Sequence, residues 1–402
     1  MIWHIIHIID ILLWLLLSSS TVYILFFALV STLWKKRVSR LTKYLTGQVL
    51  AQRKKEHFSY LILFPAYNED RVIVNSVQKF LAQYYPYNCF HVAVISDHMQ
   101  SETNEKLAAL PITLLQPVFE KSSKAKAMQY AMDQIKDDYD FIVILDADNV
   151  VEPHFLEQLN TECAKGYKAI QCHRCAKNSD NDVAVLDGVS EEINNTIFRK
   201  AHNRIGLSSA LIGSGMCFDY QWFKENVYKL TTAGEDRELE ALLLQQKVYI
   251  QYEPNIHVFD EKVSNKDNFQ KQRQRWMTAQ FQSLFRMLPY IPKAIMTFNL
   301  DFIDKTIQQA LIPRSMLVVG ALGMSLVITA FSLLFSISWY IKWWCLFLAV
   351  CIALYIATPK QLRSHSVFGK ILSLPKLVWR MAKNILKIDR KNTDFIHTTH
   401  NK

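Results

Sequence analysis

The sequence predicts a doubly wound α/β domain tethered to a membrane by one helix before it and two after it. Three observations carry that prediction. Strand-like apolar runs alternate with helix-like segments between residues 59 and 284; one run, Phe141 to Leu145, ends in Asp146-Ala147-Asp148-Asn149; and long apolar stretches lie at both ends of the chain. The expected divisions are an N-terminal transmembrane helix (1–34), a basic juxtamembrane linker (35–58), the α/β domain (59–284), an interfacial connector (285–310), a transmembrane pair (311–358) and a basic tail (359–402).

Ile5 to Leu33 is almost wholly apolar, interrupted by Asp10 and by Ser18 to Thr21, and is longer than the roughly 20 residues that cross a bilayer. Its basic flank, Lys35, Lys36, Arg37, Arg40 and Lys43, follows the apolar run, which argues against a cleaved signal peptide. That order places the N-terminus outside and the next segment in the cytoplasm.

Ser59 to Phe64 reads as the first strand, followed by Pro65-Ala66-Tyr67-Asn68-Glu69, and Arg71 to Leu81 has helical spacing. Phe90 to Ser96 is a second strand ending at Asp97, Ser101 to Leu110 a short helix, and Ile112 to Leu115 a third strand. Helix Ser122 to Ile135 leads to the fourth strand and its two aspartates. Right-handed crossovers in a parallel sheet bring Asn68, Glu69, Asp97 and Asp146 to one rim.

Beyond the aspartates come a helix from Pro153 to Lys165, a strand around Ile170, a long polar helix from Asp182 to Arg204 and a loop at Gly213-Ser214-Gly215. Gly234-Glu235-Asp236 opens a helix running from Arg237 to Gln246, and Gln272-Arg273-Gln274-Arg275-Trp276 sits in a basic helix directed toward Phe285. Leu288 to Gln309 has the look of a connector at the membrane surface. Leu311 to Ile337 and Ile341 to Ala357 are two further spans, and Trp339, Tyr340, Lys342, Trp343 and Trp344 mark a hairpin at the outer interface.

The net charge of +10 comes from 46 Lys and Arg against 36 Asp and Glu. Much of the excess flanks the apolar segments, including Lys360 to Lys391, so anionic lipid headgroups explain it and nucleic acid does not. Seven scattered cysteines make no disulfide framework. Cys172 and Cys175 lie on a segment that reads as extended, where positions three apart face opposite sides and cannot share a metal.

Asp-x-Asp after a buried strand can aim two carboxylates at one hard divalent cation that bridges to substrate phosphates, although acidic turn residues are common there. Lys124 at a helix start can reach a diphosphate or be a solvated helix-face charge. Glu235 and Asp236 have the bland explanation of a helix dipole, Lys271, Arg273 and Arg275 that of lipid headgroups, and His257 that of packing.

Taken in order, Pro65-Ala-Tyr-Asn-Glu69, Asp97, Lys124, Asp146-Ala-Asp148, Gly234-Glu-Asp236 and Gln272-x-x-Arg275-Trp276 resemble the membrane-bound family-2 glycosyltransferases, in the branch of cellulose, hyaluronan and poly-N-acetylglucosamine synthases. The resemblance spans roughly Ser59 to Gln280. It implies a GT-A (Rossmann-like) cytosolic domain using a nucleotide-diphosphate sugar, usually a UDP-sugar, with Mg2+ or Mn2+. By family position, Ala66, Tyr67, Glu69 and Asp97 hold base and ribose, and Lys124 the diphosphate side. Asp146 contacts the nucleotide sugar and the metal, and Asp148 is the principal metal ligand. Asp236 is the general base, with Glu235 beside it, and Gln272, Arg275 and Trp276 line the diphosphate and acceptor end. Gly234 departs from the Thr that many relatives carry.

The function this implies is inverting transfer to a growing glycan in surface or capsular polysaccharide synthesis, at a bacterial inner membrane and with membrane lipids and other synthase or export subunits as partners. Three spans are few for a polymer channel, which keeps open single-sugar transfer to a lipid or polyprenyl-linked acceptor. A catalytically inactive GT-A scaffold is the reading from another class.

Overall fold

The computed structural model describes residues 2–34, 55–178, 182–232, 234–262, 266–335 and 339–363. Linker residues 35–54 and tail residues 364–402, on which part of the charge-based topology rests, lie outside them, as does the side chain of Lys271.

Eight strands form one sheet in the order β3-β2-β1-β4-β7-β6-β8-β5. The first half is parallel: β1 (Tyr60–Tyr67) lies between β2 (Phe90–Asp97) and β4 (Phe141–Ile144), with β3 (Thr113–Leu115) outside β2. The second half is mixed. β7 (Met216–Asp219) runs antiparallel to β4 and to β6 (Ala169–Ala176), β8 (Ile250–Asp260) is parallel to β6, and β5 (Val150–Val151) is antiparallel to β8. The expected doubly wound parallel arrangement therefore describes strands one to four, and an antiparallel insertion completes the sheet.

Alternation along β1 builds both sides of the core. Leu61 and Leu63 face α4 (Lys124–Gln134) and α8 (Glu235–Gln245), while Tyr60, Ile62 and Phe64 face α2 (Ile73–Leu81) and α5 (Phe155–Ala164). Among the described residues the remaining helices are α1 (Ile2–Leu33), α3 (Ser101–Ala108), α6 (Asp182–Asn194, continued by a π-helical stretch Asn195–Ala201 to Arg204), α7 (Tyr220–Asn226), α9 (Lys266–Met287), α10 (Ile291–Met296), α11 (Leu300–Ala310), α12 (Arg314–Phe335) and α13 (Tyr340–Ala357).

β1 continues through Pro65, two residues past the expected loop start. Leu63 sends its carbonyl toward β4, accepting from the Leu145 N–H at 3.0 Å, so Pro65 two residues later presents its missing donor to the same side. The β4 ladder has ended there, and no hydrogen bond is lost.

α1, α12 and α13 are long and apolar enough to cross a membrane. They pack on one another and on Val189, Ile193, Ile197 and Ala201 of the α6 segment. Asp10, read from sequence as an interruption, is buried: it pairs with Lys342, and its other oxygen accepts from the Trp343 indole N–H at 2.7 Å. Trp343 is thus fully buried rather than part of an exposed interfacial belt. The connector packs partly on the α/β domain through Met287, Ala294 and Phe302, leaving Met296 and Phe298 exposed.

Candidate active site

The carboxyl ends of β1, β2 and β4, the starts of α4 and α8 and the middle of α9 open onto one cleft of about 310 Å³. Ala66, Tyr67, Glu69, Asp97, Lys124, Asp146, Asp148, Glu235, Asp236, Gln272, Arg275 and Trp276 all line it. Every site residue expected from sequence is there, drawn from six separated stretches.

At the β1/β2 end, Tyr67 and Asp97 are register partners. The next residues, Asn68 and His98, take left-handed backbones, with φ of 53° and 57°. His98 Nδ1 donates to the Asp97 carboxylate at 2.5 Å and its ring lies 5.3 Å from that of Tyr67. This histidine was not singled out from sequence.

Lys124 is the hub. Ser123 caps α4 by accepting from the Lys126 N–H, which puts Lys124 in the first turn and over the cleft. Its ammonium donates to Asp146 and, at 2.7 Å, to the Gly213 carbonyl, and lies 3.8 Å from Glu235. Burial alone would lower its pKa, but Asp146, Glu235 and Asp236 outweigh burial and hold it above the ordinary lysine value. Lys124 is a cleft cation, not a solvated helix-face charge. Gly213 has φ of 83°, and a Cβ there would stand 4.0 Å from both Asp236 and Glu235, so the loop brings backbone against the two acids.

α8 begins at Glu235, so both acids occupy its first turn. Burial pushes the Glu235 carboxyl up to about 7; Lys124 opposes the rise and Asp236 adds to it. Asp236 accepts from the Arg237 N–H at 2.8 Å, and Arg237 is held by Gln309 of α11 at 2.6 Å.

Asp148 is oriented by its neighbours: Oδ2 accepts from the Glu261 N–H at 3.0 Å and Oδ1 from the Asn149 side chain at 2.9 Å. Asn149 also accepts from the Asp146 N–H at 3.0 Å, locking the turn. Carboxylate oxygens with such outer-shell support are the donor set that Mg2+ or Mn2+ takes, so Asp146 and Asp148 fit a divalent ion.

Sequence reasoning missed the floor of the cleft. Arg174 on β6 donates to Glu191 of α6 at 3.1 Å and lies 3.8 Å from Asp260 and 3.9 Å from Asp146. Arg199 and Lys262 stand 3.3 and 3.6 Å from Glu191, and Lys262 is 2.8 Å from Asp260. Burial would raise Glu191, but Arg174, Lys262 and Arg199 hold it far below the usual carboxylate range. Arg273 is not directed at lipid headgroups: it donates to Asp187 at 2.6 Å and stacks over Trp276 with its carbon 4.7 Å from the ring centroid. Arg275 lines the cleft.

An α/β domain with strand ends that open onto a cleft holding a carboxylate pair and a buried lysine defines a class, the GT-A transferases. The family described as Glycosyltransferase like family 2 matches residues 58–279, more than half of the chain. The chain belongs to that family and is a glycosyltransferase.

Among solved structures, the mannosyltransferase PcManGT from Pyrobaculum calidifontis, in complex with GDP-Man and Mn2+, is similar at a TM-score of 0.52 and 14% identity, covering 87% of this chain and 97% of that one. S. aureus TarS 1-349 in complex with UDP-GlcNAc has a TM-score of 0.42 and 14% identity, covering 81% and 88%. Glucosyl-3-phosphoglycerate synthase from Mycobacterium tuberculosis, with Mn2+ and UDP-Glc, has a TM-score of 0.40 and 14% identity, covering 56% and 79%. No curated protein matches.

Proposed function

We propose that the protein is an inverting, metal-dependent transferase moving a sugar from a UDP-sugar to a growing glycan in surface or capsular polysaccharide synthesis. The observation that carries the mechanism is the position of Lys124, whose ammonium lies between Asp146 and the Glu235–Asp236 pair. Donor phosphates belong on the Asp146 side and the attacking hydroxyl on the side of the two acids. Tyr67 and Asp97 take the base and ribose, with Ala66 and Glu69 shaping that end. Asp148 and Asp146 would hold Mg2+ or Mn2+, which when bound would supply positive charge toward the diphosphate leaving group. Lys124 and Arg275 add fixed positive charge at the same end.

Asp236 accepts the proton of the acceptor hydroxyl, and a single displacement inverts the anomeric carbon. Glu235 serves as its partner. Trp276 and Gln272 receive the acceptor; the Gln272 side-chain carbonyl is buried without a hydrogen-bond partner among the described residues and offers an acceptor to a sugar hydroxyl. PcManGT carries GDP-Man, so a GDP-sugar is the alternative donor.

The catalytic domain lies in the cytoplasm beneath three spans of a bacterial inner membrane, with the N-terminus outside. Single cysteines at positions 148 and 340 test this, since only the latter should react from outside. A second reading, transfer to a lipid-phosphate-linked acceptor, is favoured by Arg314 at the start of α12. Its guanidinium donates to the Ser190 carbonyl and hydroxyl at 3.0 Å, and among the described residues no carboxylate lies within 4.0 Å of it.

The test is UDP release by membranes holding the protein, across UDP-glucose, UDP-galactose, UDP-N-acetylglucosamine and UDP-glucuronate, with metal or chelator. Metal-dependent release from one donor, lost in Asp236→Asn, supports the reading. Donor binding without turnover under all acceptor conditions would return the scaffold.

A further inference from the structure

Strand alternation puts a second set of ligand-bearing residues behind the cleft. On β6, Arg174 points into the donor cavity, so His173 and Cys175 on either side of it face away. Helix α6 repeats the division: Glu191 joins the cleft and Glu192 meets His173. Ligand atoms of His173, Cys175 and Glu192 all lie within 4.8 Å of one another, and all three residues are half-buried.

His173 is oriented from both nitrogens. Nε2 lies 2.8 Å from the Glu192 carboxylate and Nδ1 lies 2.9 Å from the Tyr252 hydroxyl. A carboxylate only accepts, so without a metal Nε2 carries the proton and Nδ1 accepts from tyrosine. Moving that proton to Nδ1, where it donates to the Tyr252 oxygen, frees Nε2 for a cation while keeping the ring held.

A fourth group stands nearby through a register shift. Cys172 pairs with Glu253 but His173 pairs with His257, so Pro254, Asn255 and Ile256 bulge out of the ladder. The shift brings the two histidine rings to 5.4 Å.

We infer that His173, Cys175 and Glu192 form a transition-metal site for zinc, separate from the Asp146–Asp148 pair. Nitrogen, thiolate and carboxylate are the ligands zinc takes, at about 2.0–2.3 Å, and a thiolate discriminates against Mg2+. Closing a tetrahedral set from the observed spacing requires side-chain movement of roughly 1 Å, within reach of rotation about χ1 and χ2. Either His257 or water completes the coordination. The ion ties β6 to α6 one residue away from Arg174 and Glu191, and so braces the cleft from its far side.

Full-length protein in detergent, stripped with chelator and dialysed against zinc, is assayed for bound metal by elemental analysis. Wild type and Asp148→Asn are expected to keep about one zinc per chain, with affinity lowered about tenfold or more in Cys175→Ser and in His173→Gln. Cys89→Ser, which changes a thiol outside the cluster, should bind as wild type. Zinc should also protect Cys175 of the wild-type protein from alkylation, mapped by mass spectrometry, a readout that needs no variant to fold. Undiminished zinc in Cys175→Ser, binding lost only in Asp148→Asn, no zinc on wild type, or no protection of Cys175 would overturn the assignment.

Discussion

The two halves of the sheet use the same charged residue types differently. At the ends of β2 and β4, Asp97, Asp146 and Asp148 border the cleft, and Asp148 is oriented by two hydrogen bonds, from the Asn149 side chain and the Glu261 N–H. Behind them, on β6, β8 and α6, Arg174, Glu191, Arg199, Asp260 and Lys262 form ion pairs with one another. The first arrangement leaves carboxylates positioned for a ligand, and the second turns charge into scaffolding. Asp148 is oriented by two hydrogen bonds, whereas Glu191 is faced by three cations.

The comparison breaks most sharply at Asp236. Asp236→Asn removes the proposed proton acceptor without altering packing, and turnover should fall about 10²–10⁴-fold with the thermal midpoint almost unmoved. Release of UDP within tenfold of wild type would move the base role to Glu235. Glu191→Ala should do the reverse kind of damage. It leaves Arg174, Arg199 and Lys262 facing one another, a loss of about 3–5 kcal/mol read as a lower denaturation midpoint.

pH sharpens the same contrast. Glu235 is raised to about 7, so the folded state binds its proton more tightly than the unfolded chain, and stability falls as pH rises from about 4.5 to 7. Glu191 is depressed, so its contribution is present above about 4.5 and is lost as pH falls below that value. With chelator present, wild-type stability should peak near pH 5. Glu235→Gln should flatten the limb above the peak, by up to about 3 kcal/mol, and leave the acid limb intact. An unchanged upper limb in that variant would remove Glu235 as its cause.

The smallest effect is expected in the apolar bundle. Asp10→Asn keeps an acceptor for Trp343 but loses the ion pair with Lys342, and should cost about 1–2 kcal/mol in detergent while UDP release stays near wild type.

The sequence made the first half of the sheet legible because its strands are short apolar runs that end in polar turns, as Phe141 to Asp146 does. β8 escaped for an identifiable reason. Its alternation of Ile250, Tyr252, Ile256 and Val258 is broken by Pro254, and only the bulge that removes Pro254 from the ladder lets the strand continue. The cleft acids were readable because motif order locates them. The Arg174–Glu191 floor was not, since a buried arginine on a strand and a glutamate in a polar-looking helix become partners only through tertiary packing. Cys172 and Cys175 do face apart as expected, but the pairing that mattered on β6 was His173 with Cys175, two positions apart and on one side.

The bond between Asp10 and Lys342 also sets a timetable. The partners are 332 residues apart, so at roughly 5–20 residues per second the ribosome reaches the lysine on the order of tens of seconds after the aspartate. On the spanning arrangement proposed above, the first helix waits that long in the bilayer with an unmatched acid, which favours shelter beside another polar group until its partner arrives. Arrival of α13 then ends the wait, making that helix the signal that the bundle of α1, α12 and α13 has come together.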